Sequence, residues 1–108
     1  MLNIDGLNVE VTRGDTGQFT ITFTGTDKPE NGCVILVSLK KTKTSQTPLW
    51  EKRLTVNNDT ILVTLTSEDT SLEFGQYWWD ARILFRDGTV YTPMNPASFK
   101  VLEVIGNV

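Results

Sequence analysis

The chain has no histidine and a single cysteine among its 108 residues. Without imidazole there is no histidine general base, no serine-histidine-aspartate triad and no histidine-bound metal, so most hydrolytic mechanisms fall away at once. One thiol cannot form an intrachain disulfide, and the apolar neighbours of Cys33 (Val34, Ile35 and Leu36) predict that it is buried and inert. No apolar run nears the roughly 20 residues of a membrane-spanning helix. Basic residues are also scarce: 10 Lys and Arg against 13 Asp and Glu leave a net charge of -3, which argues against the phosphate backbone of a nucleic acid as partner. The one basic cluster, Lys40, Lys41 and Lys43, reads as a solvated strand end.

Other chemistry is equally thin. No glycine-rich loop precedes a helix, so a phosphate cradle of that kind is not expected. The carboxylates Asp69, Glu73, Asp80 and Asp87 could in principle serve as an acid and base pair, but capping, corner and hairpin roles account for most of them. The stretch SEDTSLE has oxygens but lacks the spacing of a calcium loop. The expectation is a protein that is not an enzyme and carries no cofactor and no metal. The opening MLNIDGLNVEV has no basic segment followed by a long apolar one, so synthesis and retention in a bacterial-type cytoplasm is expected.

What the chain does have is a period of two. In GQFTITFTG, Phe19, Ile21 and Phe23 alternate with Gln18 and threonines, as on a half-buried antiparallel strand. LNVEVT and TILVTLT alternate likewise, with Leu62 an apolar intruder in the second. CVILVSLKK is apolar on both sides and predicts a central strand covered on both faces. Further strands are expected over 49–56, 76–85, 88–92 and 98–104, divided by turn-forming residues that include Gly14, Gly17, Asn57-Asn58-Asp59 and Asp87-Gly88. Gly88 supplies the positive φ of a hairpin, and Pro93 and Pro96 predict a loop or bulge in TPMNPA. Only SEDTSLEFG has helical character, a single turn capped by Thr66 or Ser67. The pattern predicts an all-β fold, an immunoglobulin-like antiparallel β-sandwich of seven or eight strands in one domain over 1–108, with a partly closed barrel as the alternative.

Two local features sharpen this expectation. Tyr77 stands two residues after Gly75, downstream of Asp69-Thr70, as in a tyrosine corner, where the ring enters the core and the hydroxyl bonds the preceding loop. In the strand that follows, Trp79, Ala81 and Ile83 share the face of Tyr77, while Trp78, Asp80, Arg82 and Leu84 share the other. Trp78, Arg82 and Leu84, together with Trp50, are the candidate contact residues, since Trp and Arg are enriched at interface centres. Arg13-Gly14-Asp15 spells an integrin-binding tripeptide, yet turn chemistry explains each residue: glycine for unusual φ, aspartate for bonds to local amides.

In their order and spacing, VTRGDTGQFTITF, CVILVSLKKT, ILVTLTSEDTSLEFGQYWWDARILFRDGTVYTP and SFKVLEVI resemble the immunoglobulin-like domain of tail, baseplate and fibre proteins of phages and prophages of Gram-positive bacteria, in particular the N-terminal domain of the baseplate upper protein family. The resemblance spans nearly the whole chain and rests on Arg13 to Thr16, Asp69-Thr70, Gly75, Tyr77, Asp80, Asp87-Gly88 and Phe99 to Val104. It implies a virion structural protein that self-associates or contacts other virion proteins. The rival implication is a module that recognises a host surface ligand, either a cell-wall saccharide or a host protein. Family members often continue into fibre or receptor-binding segments, whereas this chain stops at Val108. A free-standing subunit and a shortened piece of a longer chain both fit.

Overall fold

A computed structural model describes residues 3–5, 8–23, 29–91 and 97–103, the first three by their backbone alone. Among the described residues nine strands and one helical turn follow in the order β1 (Asn3–Asp5), β2 (Asn8–Thr12), β3 (Gly17–Thr22), β4 (Val34–Lys40), β5 (Trp50–Thr55), β6 (Thr60–Leu65), α1 (Ser67–Thr70), β7 (Gly75–Leu84), β8 (Val90–Tyr91) and β9 (Ala97–Leu102). The all-β expectation holds. Of the strands, only β1 lies outside the expected segments; the proline loop of TPMNPA falls largely outside the described residues.

The strands form two sheets around one core. The larger runs β1-β2-β9-β7-β4-β5, with β8 hydrogen-bonded to β7 off that path, and the smaller pairs β3 with β6. One pairing departs from the antiparallel expectation: β2 lies parallel to β9, Val9 opposite Phe99 and Val11 opposite Val101. Parallel neighbours need a crossover rather than a hairpin, and here nearly the whole chain separates the two strands. Local turn signals cannot encode such a pair.

Period two decides which side chains meet. Ile35, Val37 and Leu39 of β4, Trp79, Ala81 and Ile83 of β7, and Phe99 and Val101 of β9 are buried on the inner face, and Phe19, Ile61, Val63 and Leu65 of the small sheet fill the space opposite. Phe19 and Trp79 meet edge to face at 5.4 Å between centroids, locking sheet to sheet. Each such large side chain contributes about 1.5 to 3 kcal/mol on burial. Cys33 is buried at the edge of this core. Leu62 is exposed, facing away from the core with the threonines around it.

Two hairpins use different turn chemistry. Asn58 and Asp59 both have positive φ (53° and 63°) between the paired Asn57 and Thr60, a two-residue turn whose twist matches the strands. At the other, the Gly88 amide donates to the Phe85 carbonyl at 3.0 Å and Gly88 has φ 92°, which makes a three-residue loop ending in a glycine bulge.

Candidate interaction face

The outer face of β7, β4 and β5 is built in rows by strand register. Leu84 lies beside Val34, which lies beside Thr55; the next row is Arg82, Leu36, Arg53; the next Asp80, Ser38, Glu51; and the last pairs Trp78 with Lys40. Successive rows are about 6.6 to 6.8 Å apart and neighbouring strands about 4.8 Å apart. A cationic row therefore abuts an anionic one, with an apolar end at Leu84 and Val34 and an aromatic end at Trp78. The face is open only in part: Ser38 at its centre is fully buried, as is Asp80 Oδ1, whereas Glu51 and Arg53 are exposed.

Within the face the charges are only loosely neutralised. Glu51 Oε2 accepts from Ser38 Oγ at 3.0 Å and lies 3.8 Å from Arg82 Nη2, a long, half-exposed ion pair of small energetic weight. Asp80 Oδ1 is buried without a hydrogen-bond partner, which is unfavourable for an acceptor-only carboxylate. Lys43 Nζ stands 4.3 Å from the Trp78 ring centroid, a cation-π contact from the loop after β4.

Trp78, Arg82 and Leu84 are thus neighbours on one face, but Trp50 does not join them. Pairing with Leu39 turns Trp50 inward, where its ring meets Phe99 at 6.2 Å and its indole N–H donates to the Asp69 carbonyl at 3.1 Å. Asp80 also departs from its expected corner role: it lies in the middle of β7, and alternation puts it among the contact candidates. Ser38, Glu51 and Arg53 were not singled out by sequence reasoning, and Lys43, read there as part of a solvated strand end, instead lies over Trp78. Ser38 within the apolar run of β4 was the one visible signal, because a polar residue there marks a face with polar neighbours.

The corner and turns hold the framework. Tyr77 is buried and its hydroxyl donates to the Glu73 carbonyl at 2.7 Å; burial pushes the phenol pKa up, the Glu73 charge adds to this, and Arg13 opposes it. Gly75 opens β7 with φ 148°. Asp69 caps α1 reciprocally with Thr66 and pairs with Lys52 Nζ at 2.7 Å. Burial raises the Asp69 pKa, but Lys52 and the Thr66 bonds outweigh it and hold the carboxyl below its ordinary 3.8. Asp87 is held low by hydrogen bonds from Thr89, whose amide donates to Asp87 Oδ1 at 2.9 Å.

Arg13-Gly14-Asp15 is a turn tied down along its backbone. The Arg13 amide donates to the Leu102 carbonyl at 2.9 Å and the Asp15 amide to Thr12 at 3.0 Å; the Gly14 and Asp15 carbonyls accept from Ser67 Oγ at 2.8 Å and Thr70 Oγ1 at 2.7 Å. Gly14, at φ 83°, provides the left-handed residue the turn requires. The Asp69-Thr70 pair and the tripeptide therefore belong to one junction.

An open depression of about 340 Å³ is lined by Phe74, Gly75, Gln76, Lys100, Val101, Leu102 and Glu103. Among the described residues no three metal-ligating side chains cluster, and no helix is long and apolar enough to cross a membrane. No protein-family model matches the chain, and no curated protein matches it in sequence.

Proposed function

We propose that the chain is an immunoglobulin-like β-sandwich acting, without catalysis, as an assembly module of a phage or prophage tail, baseplate or fibre. The sandwich reading is supported by two sheets over one core, by the β2-β9-β7-β4-β5 order opposite β3-β6, and by the buried Tyr77 hydroxyl bond. The virion setting rests on the ordered likeness from Arg13 to Val104.

The observation that carries the assembly reading is the outer face on which the half-buried Trp78, Arg82 and Leu84 stand together. A face of mixed apolar and charged rows suits another protein surface. A sugar site would instead want an aromatic in a concavity flanked by Asp or Asn. The open depression beside β7 and β9 has Phe74 with Lys100 and Glu103.

The test is co-expression with the proteins encoded beside it, followed by solution mass of the purified material for the parent and for Trp78→Ser. A defined complex that the variant loses supports the reading. No association with itself or with those proteins, together with calorimetric binding of a cell-wall saccharide, overturns it in favour of recognition.

A further inference from the structure

The row order on the outer face is self-complementary, and only in one orientation. Two copies packed face to face about a two-fold axis lying in the contact plane can have that axis along the strands or across them. An axis along the strands lays each row on its own copy, so Arg82 and Arg53 meet the same two arginines and the acidic row meets itself. An axis across the strands, between the charged rows, reverses the row order instead. Arg82 then faces Asp80 of the second copy, Arg53 faces Glu51, and Leu84 and Val34 fall on Trp78 and Lys40.

We propose that this face binds a second copy of the chain with the two β4 strands antiparallel, in a symmetric dimer selected by the alternation of its charged rows. This deepens the assembly reading and rests on it. The match is best where it matters, since the axis runs between the two central rows, and the roughly 30° twist between aligned sheets displaces central rows least. Asp80 is compatible with the same pairing, since no basic side chain forms a salt bridge with it among the described residues. Arg53 on β5 is exposed. At the rim, Val90 extends the apolar end beside Leu84.

Three strands and four rows present a face of roughly 14 Å by 27 Å. That is small beside the roughly 800 Å² per partner of a stable complex, so the dimer is concentration-dependent.

The experiment is sedimentation velocity on the whole chain over a concentration series at low salt, with Arg82→Glu and Asp80→Lys measured separately and then mixed in equal amounts. The parent is expected to move from one to two chain masses. Each variant alone sets like charges against each other and weakens the dimer about tenfold or more. The mixture restores it, because in the mixed dimer the two introduced side chains, of opposite charge, face each other, while the unaltered Asp80 of one copy meets the unaltered Arg82 of the other. Should Asp80→Lys fail to fold by circular dichroism, the exposed pair Arg53→Glu and Glu51→Arg makes the same test. A parent that stays monomeric, variants that dimerise like the parent, or a mixture no better than its components would overturn the proposal. If the parent is monomeric yet binds a neighbouring virion protein through Trp78, self-pairing fails while the assembly reading stands; if it binds neither, both fail.

Discussion

Trp78 and Trp79 are adjacent in the chain and stand on opposite faces of the same sheet. Trp79 is buried against Phe19, in a face whose residues are apolar with few exceptions, whereas Trp78 is half-buried, under Lys43 and in a face where an arginine row lies beside an acidic one. Both faces share one backbone and one set of ladders. The difference therefore lies in what each face is made to exclude: the inner one excludes water and sets stability, while the outer one tolerates water and, on the proposed reading, meets a partner. Stability should respond to changes inside and association to changes outside.

That division can be broken in graded steps. Phe99→Ala, at the centre of the inner face, is expected to lower unfolding stability by about 3 to 5 kcal/mol, read from a urea midpoint. A loss under about 1 kcal/mol would mean the inner face is not the core. Tyr77→Phe removes the buried hydroxyl bond to Glu73 and is expected to reduce stability by about 1 to 2 kcal/mol; an unchanged midpoint would dismiss the corner.

Asp69→Asn removes the ion pair with Lys52 and weakens the cap, with an expected loss of about 1 kcal/mol at pH 7. Because the folded pKa lies below the ordinary 3.8, this contribution is fully present above that value and is lost as pH falls through the lower folded one. Parent and variant midpoints should converge on acidification, and a gap that persists at strongly acid pH would assign the effect to packing instead.

On the outer face, Trp78→Ser should leave the midpoint within about 0.5 kcal/mol of the parent while abolishing association. A destabilised Trp78→Ser would show that the two faces are not separable. Smallest of all, Asp15→Glu should leave folding and any assembly unchanged, since the turn is held mainly through backbone bonds to Leu102, Ser67 and Thr70. Loss of partner binding with the fold intact would return the tripeptide to a functional role.

Much of the framework was legible in the sequence. The alternation in β3, β6 and β7, the Asp87-Gly88 hairpin, the single capped turn and the inward Tyr77 all follow from side-chain direction and turn chemistry within a few residues. The candidate face was half legible. Trp78, Arg82 and Leu84 share a face by period two alone, but Trp50 read equally well as outward until its pairing with Leu39 turned it to the core.

What the sequence by itself determined was local: which segments are strands, which residues of each strand share a face, and which turns need glycine or asparagine. Only tertiary structure decided the parallel meeting of β2 with β9, the junction of Arg13-Gly14-Asp15 with α1, and the setting of Arg53 beside Leu36 and Glu51 beside Ser38. The physical reason is that period and propensity act over a few residues, whereas register between strands is chosen by burying all inner faces at once. The charge rows of the outer face are a consequence of that choice.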